Sequence, residues 1–398
     1  MQRISGGIFA CLLVIFGTFI FAGCTSPSEH SSEVQIGALL PLSGNSAAYG
    51  ERLREGIELR MYVKQERERD SLNVEIVYED TRMNPEDAVS TFRKLQQSGI
   101  QSFIGPYSSS EALAVAPVAK RNDAIILSPG ATSPDLSDTG PYFSRIIASD
   151  YYDASVMASF ARDSLDAQMA GLVYINNDYG VGIKNSFQEH FSNFGGEVTY
   201  TAGFDSGTSD FRTILERLNQ EPPDLVLLIG FSEMGFFLRQ MGELGLSFQI
   251  LSSGLFENPK IVETAGRFAN GVYYTMPYFS PKGGSSTIEK TFNQAFEEKY
   301  PDQSPAIEHG LGYDALNVYL EALRESDGSL KGVKEAITSL ESFPGAAGSL
   351  TFDDNGNVTK PYGIKTYRGG EFTWVTRIYQ PQRNIQSHGA DSTSVAAP

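Results

Sequence analysis

Residues 34–44 read VQIGALLPLSG, an apolar strand closed by a Pro-Leu-Ser-Gly turn, and the next segment, from about Ala48 to Lys64, has helical amphipathic spacing. A short apolar strand, a turn and a longer helix make the repeating unit of a parallel sheet covered by helices on both faces. Working outward, the unit recurs. Strands are predicted near Asn73–Tyr78, Ser102–Ile104 and Ala124–Leu127, with helices from Pro85 to Gln97 and up to Lys120 between them. Asn84 precedes Pro85 as a cap, with the proline at the first helical position, where its missing N–H costs nothing.

A second series starts near Asp150. Its strands are Ala170–Ile175, Glu197–Thr201, Leu225–Ile229, Gln249–Leu251 and Val272–Tyr274, with helices starting near Gly180, Asp210, Ser232 and Asn258. Leu225–Ile229 is apolar throughout, as a strand buried on both faces requires. Helices over Thr287–Tyr300, Ile307–Arg324 and Leu330–Leu340 follow. The end is strand-like at Ser349–Phe352, Tyr362–Tyr367 and Phe372–Tyr379, with turns at Asp353–Gly356 and Gly369-Gly370. Two tandem α/β units imply a cleft between two lobes.

The chain has 398 residues, which fits two lobes better than one small fold. Asp and Glu number 48 against 31 Lys and Arg, a net charge of −17 with no basic cluster, so a nucleic-acid partner is excluded. Met1–Gly23 carries Arg3 and an apolar run from Ile8 to Ala22 that ends Phe21-Ala22-Gly23-Cys24. Small residues just before a cysteine are a processing signal, and this stretch resembles the bacterial lipobox, in which the cysteine becomes the lipidated N-terminus. Residues 1–23 are therefore expected to be a signal peptide, Cys24 the lipid anchor and 24–32 a polar tether, with 381–398 a frayed tail. Cys11 lies in the signal, so the mature chain has no thiol left for a disulfide.

Several stretches together carry a family resemblance. They are Ile36–Gly44, Tyr49-Gly50, Glu79-Asp80-Thr81 with Pro85 and Ala88, Ile104-Gly105-Pro106 with Ser108-Ser109-Ser110, and Ser128-Pro129-Gly130-Ala131-Thr132. With Asp178-Tyr179-Gly180, Gly230-Phe231, Leu238-Arg239-Gln240 and Gly312-Tyr313-Asp314-Ala315, their order resembles the type I periplasmic binding proteins. Within these it is most similar to the leucine/isoleucine/valine-binding branch that serves ABC transporters. The resemblance covers about residues 33–380. It implies two Rossmann-like α/β lobes joined by three crossovers and closing on a small ligand like a flytrap. The expected lobes are 33–149 plus 281–357 and 150–280 plus 358–380.

The same resemblance assigns candidate site residues. Ser108 and Glu111 read as a capping box, yet a helix start also presents free amides to an anion, and Ser109 matches the position that holds the ligand carboxylate. Ala131 and Thr132 match positions contacting both ends of an amino acid. Asp150 matches the carboxylate that receives the ligand ammonium, and it also reads as the N-cap of a helix from Tyr151. Tyr49, Tyr179 and Phe231 match side-chain pocket positions, with Tyr107, Tyr152 and Phe256 near them in sequence. The relatives have a Glu after the strand corresponding to Gln249–Leu251, whereas this chain has Ser252-Ser253-Gly254-Leu255-Phe256 before Glu257. Either Glu257 substitutes from a shifted loop or a second ammonium partner is absent.

Other chemistry is poorly supported. Gly180-Val181-Gly182 lacks the third glycine of a dinucleotide fingerprint, and His30, His190, His309 and His388 have no zinc spacing. No Gly-x-Ser-x-Gly elbow supplies a nucleophile. The expectation is a non-enzymatic, monomeric lipoprotein without cofactor or metal. It would bind a small carboxylate-bearing ligand, an apolar or aromatic amino acid, in the interlobe cleft and deliver it to an ABC permease from the periplasmic or outer face of the membrane. The alternatives are a lipoprotein regulator that binds an envelope protein, or a binder of amides, urea-like compounds or carboxylic acids.

Overall fold

A computed structural model describes residues 33–68, 72–140 and 142–378; the expected signal peptide, Cys24, the expected tether, Tyr379 and the expected tail lie outside the described residues. The first sheet is built from β1 (Val34–Leu40), β2 (Val74–Asp80), β3 (Ser102–Ile104), β4 (Ile125–Ser128) and β5 (Phe143–Arg145), all parallel, in the order β2-β1-β3-β4-β5. Helices α1 (Ala47–Arg67), α2 (Pro85–Gln97) and α3 (Ser109–Arg121) connect the first four strands. The sequence reading has the first lobe end at 149 and no strand at 143–145. In fact three residues there pair with β4 before the chain leaves, a strand too short to announce itself by periodicity.

The second sheet follows α4 (Asp150–Asp163). Its elements are β6 (Met169–Ile175), α5 (Asp178–Asn193), β7 (Glu197–Phe204), α6 (Arg212–Gln220), β8 (Leu225–Ile229), α7 (Met234–Glu243), β9 (Gln249–Ser252), α8 (Pro259–Ala265) and β10 (Tyr273–Pro277). All five residues of β8 are buried, because strands and helices cover it on every side. Three helices come next, α9 (Thr287–Lys299), α10 (Ile307–Glu325) and α11 (Leu330–Thr338). A two-residue hairpin pair follows, β11 (Thr351–Phe352) with β12 (Val358–Thr359). Finally β13 (Tyr362–Arg368) and β14 (Glu371–Thr376) join the second sheet antiparallel, giving β14-β13-β10-β9-β8-β6-β7.

The late helices return to the first sheet. α10 lies along α1 so closely that a Cβ at Gly56 would stand 2.0 Å from the His309 carbonyl oxygen, and one at Gly312 would stand 2.1 Å from that of Leu53. Glycine at both crossing points is what permits the approach. Arg60 Nε donates to Asn317 Oδ1 at 2.8 Å across the same contact, and the Tyr319 hydroxyl reaches the backbone of Phe103 in β3.

The chain passes between the sheets after β5, after β10 and after β12, and the three passages are knitted together. The Arg145 amide donates to the Gly356 carbonyl at 2.9 Å and the Tyr278 amide to the Pro361 carbonyl at 2.8 Å. Arg145 is fully buried, and its guanidinium donates to Asn357 Oδ1 (2.9 and 2.7 Å), the Ser133 carbonyl (2.9 Å) and Ser137 Oγ (2.7 Å). Asn357 is itself held by Asp353 in the turn between β11 and β12. Arg145→Lys keeps the charge but not the fork, and should cost about 2–4 kcal/mol of unfolding free energy in urea titrations. Arg212→Ala, which breaks an exposed pair with Asp210, should cost no more than about 1 kcal/mol. Equal small effects would show that Arg145 does not hold the joint.

Candidate functional site

The carboxyl ends of β3 and β4 turn into the loops that a doubly wound sheet uses for ligands. Ser108 caps α3 in a reciprocal capping box, with its amide donating to Glu111 Oε2 at 3.0 Å. That frees Ser109, the first helical residue, for other work. Ser109 Oγ accepts from the amides of Thr132 (3.2 Å) and Ser133 (3.0 Å), so its own proton remains available to donate. Thr132 Oγ1 donates to Asp150 Oδ2 at 2.9 Å, and the Asp150 amide returns a bond to the Thr132 carbonyl at 2.8 Å. Ser109, Thr132 and Asp150 are thus one connected group.

Asp150 is not a cap. Ser149 takes that role, its hydroxyl accepting from the Tyr151 amide, and Asp150 becomes the first residue of α4. The shift frees the carboxylate from the helix start. It also places Asp153 one turn further along the same face. Both carboxylates are buried, and both line a cavity of about 80 Å³ enclosed by the two sheets' loops. Tyr107, Ser109, Gly130 and Thr132 form one wall. Tyr179, Phe231 and Ser253 to Leu255 form the other, and Ile307, Glu308 and Leu311 at the start of α10 close it together with Tyr362.

The aromatic residues form a continuous row. Tyr107 stacks on Tyr49 with centroids 5.5 Å apart, Phe231 meets Tyr49 edge-on at 6.3 Å, and Tyr179 lies 5.9 Å from Phe231. The Tyr179 hydroxyl bonds Ser253 Oγ at 2.7 Å. Tyr49 does not line the cavity itself. It borders an adjoining outer space with Asn177 and Glu233, and its hydroxyl accepts from Asn258 Nδ2 at 2.9 Å, a link from α1 to the cap of α8.

Two further candidates stand away from the cavity wall. Ala131 is buried, with its amide donating to Ser128 Oγ, while Gly130 beside it faces the cavity. A Cβ at Gly130 would lie 2.3 Å from the Tyr107 ring, so only glycine lets this loop lie against that wall. Glu257 is engaged elsewhere, its Oε1 accepting from the Tyr274 hydroxyl at 2.6 Å and paired with Lys365. The structure therefore gathers Ser109, Thr132, Asp150, Tyr179 and Phe231 around one cavity, backs them with Tyr49, and leaves Ala131 and Glu257 out of its lining. Among the described residues Tyr107 also lines it, Tyr152 packs on Tyr362 at 5.7 Å, and Phe256 packs on Tyr274 at 5.4 Å.

Sequence reasoning missed Asp153, Glu308, Ser253 and Tyr362. The i, i+3 spacing of Asp150 and Asp153 was the available signal for the first. Nothing in the sequence brought Glu308 and Tyr362 to the cavity of Ser109, Thr132 and Asp150.

The cavity is acidic. Among the described residues Asp150, Asp153 and Glu308 line it and no lysine or arginine does. Burial raises the Asp150 carboxyl far above its usual range, and the like charge of Asp153 adds to this, while the Thr132 bond and the Arg145 charge behind it pull the other way. Burial pushes Asp153 up to about 7, only partly offset by the nearby Thr275 hydroxyl. Asp153 Oδ1 and Thr275 Oγ1 have no partner but each other among the described residues, and they meet outside normal hydrogen-bond geometry. Burial also raises Glu308, offset by Arg52, whose Nη1 lies 3.5 Å from Glu308 Oε2.

The sequence profile of the family described as Periplasmic binding protein matches residues 33–371. The Leu/Ile/Val-binding protein of Escherichia coli (strain K12) is 25% identical over 367 residues, 90% of this chain and 97% of that protein. The crystal structure of a leucine binding protein, LivK, from Thermotoga maritima MSB8 superposes with a TM-score of 0.80 at 29% identity, covering 86% of this chain and 97% of that one. A solute binding protein of an ABC transporter from R. palustris, in complex with benzoate, shares the fold with a TM-score of 0.77 at 20% identity, covering 86% and 96%.

The buried carboxyls carry a pH signature. Asp153 titrates near 7 when folded against an ordinary 3.8, so between about pH 4 and 7 the native state holds more protons than the unfolded one, and stability falls as pH rises. Asp153→Asn should flatten that slope in ligand-free protein by up to about 1.4 kcal/mol per pH unit, read from urea titrations at several pH values. An unchanged slope would place the raised titration elsewhere.

Proposed function

The chain belongs to the type I periplasmic binding proteins, in their branched-chain amino acid-binding family, and from that premise we propose that it binds one free amino acid in the cavity between its lobes and hands it to an ABC permease. The observation that carries this reading is the joining of Ser109, at the start of α3, to Asp150 through Thr132 inside one small cavity. A helix N-terminus with a free hydroxyl proton suits a carboxylate, and a buried carboxylate suits an ammonium. Their fixed separation suits a molecule that carries both groups on one carbon. Thr132 serves as the bridge that orients Asp150, and Tyr179 and Phe231 offer the side chain an aromatic wall.

The lobes are 33–149 with 281–357 and 150–280 with 358–380. They close about the three knitted passages, and the permease reads the closed form. The Tyr49–Asn258 bond joins the two sides in that form. Catalysis has no part in the reading, and the protein acts as a monomer. Cys24, following the Phe21-Ala22-Gly23 approach, carries lipid and tethers the domain to the membrane on its extracytoplasmic face. Detergent phase partition should move the Cys24→Ser protein to the aqueous phase, with mass spectrometry showing loss of an acylated N-terminal peptide; an unchanged partition would remove the anchor.

The binding reading is tested on full-length protein in detergent against the twenty common amino acids by thermal unfolding and calorimetry, after ligand is stripped by unfolding and refolding. A ligand at a thousand times its dissociation constant should add about 4 kcal/mol. Asp150→Ala should weaken the same ligand by about 100-fold or more while the fold is kept. Silence across all twenty would overturn the reading and favour a protein-binding role in the envelope.

A further inference from the structure

Asp153 is the carboxylate in this cleft that nothing yet explains. It is 6% exposed, lines the cavity beside Asp150, and its Oδ1 makes no hydrogen bond of normal geometry among the described residues. The one hydroxyl turned to it, Thr275 Oγ1, meets it outside normal hydrogen-bond geometry and can serve one oxygen only, so a buried carboxylate without a cation of its own still calls for a donor supplied from the cavity. Asp150 is itself an acid whose Oδ2 already accepts from Thr132, so it brings no positive charge to its neighbour.

The surroundings on every packed element are acidic or hydroxylic. Asp150 lies one turn back on α4 with Tyr152 beside it, Thr275 stands on β10, Tyr362 on β13 and Tyr179 on α5, and among the described residues the one buried cation near the pair is Arg145 behind Asp150 on β5. That guanidinium is spent on Asn357, Ser133 and Ser137. Glu257, the second partner that the family resemblance offered, is neutralised by Lys365 and Tyr274.

We propose that Asp153, not Glu257, is the second anchor of the ligand's cationic nitrogen, so that the cleft demands a protonated primary amine and rejects the same carboxylic acid without it. This rests on the amino-acid reading of the cavity. An ammonium group carries three donors in a tetrahedral spread, and two carboxylates one helical turn apart can each take one. Without that cation the Asp153 carboxyl keeps its proton up to about pH 7. Arrival of the ammonium displaces it, and binding releases it to solvent.

The test uses full-length protein in detergent, the tightest of the twenty amino acids, and that compound's deaminated acid (4-methylpentanoate where it is L-leucine). In the native protein the deaminated acid should bind at least about 100-fold more weakly. Asp153→Asn should weaken the amino acid roughly 10- to 100-fold and leave the deaminated acid unchanged or tighter. Asp153→Glu should recover part of the loss. Calorimetry at pH 6 to 7 in buffers of differing ionisation enthalpy should show proton release on binding that Asp153→Asn reduces, a readout that a packing role would not move. If Asp153→Asn fails to fold, the native protein's proton release and its selectivity over the deaminated acid decide instead, and absence of both overturns the proposal. Amino-acid binding with Asp153→Asn within twofold of native sinks this inference and spares the functional reading. Binding of the deaminated acid as tightly as the amino acid sinks it too, and failure of every amino acid sinks both.

Discussion

A fully buried guanidinium must find an acceptor for its donors or cost several kcal/mol, and Arg145 finds its acceptors in segments that would otherwise be free to part. It ends the last strand of the first sheet, grips the loop after Thr132, and holds Asn357 in the turn that leads back to the second sheet. Burial lowers its affinity for the proton to about 10, and Asp150 and Asp353 oppose that loss. One side chain therefore fixes the geometry of the joint and places a positive charge behind Asp150.

That placement explains how an acidic cavity can exist. Asp150 is tolerable because Arg145 stands behind it and Thr132 donates to it; Asp153 has only a nearby hydroxyl, and its carboxyl keeps a proton to near neutrality. The rest of the joint follows the same rule of local neutrality. Asp314 on α10, raised by burial to about 6, accepts from the amides of Ala346 and Ala347, and Lys360, lowered by burial to about 8, feels its charge and donates to the Ala347 carbonyl. The two carboxyls that face the cavity from α4 have, among the described residues, only the Arg145 charge behind Asp150 to oppose them.

Much of the fold was legible because the signals were local. Strand β1, helix α2 and strand β8 have the ends the sequence suggested, since Pro41, Asn84-Pro85 and the unbroken run at 225–229 each act within a few residues. Helix α3 was legible from its capping box. The three-residue β5 was not, because pairing with β4 and not periodicity makes it a strand. The site was legible where it depends on strand ends and helix starts, as at Ser109, Thr132 and Asp150. It was illegible where it depends on competition. Ser149 and Asp150 are both good caps, and the hydroxyl wins, which turns the carboxylate inward. Glu257 is a free acid by sequence and a committed one in space, because Lys365 comes to it from β13, 108 residues away.

Glu308 extends the same argument to the far end of the cavity. It lies near the Tyr49–Tyr107 stack, whose hydroxyls feel its charge, and away from the Asp150 pair. Arg52 neutralises it from outside the cavity at 3.5 Å, a distance that leaves the pair loose. The two ends thus differ in kind. At the α10 end the chain brings its own cation, and an apolar or aromatic group can lie against a balanced pair and the tyrosine stack without electrostatic cost. At the α4 end the chain brings two carboxylates and a single distant cation, so balance there has to arrive with whatever fills the space.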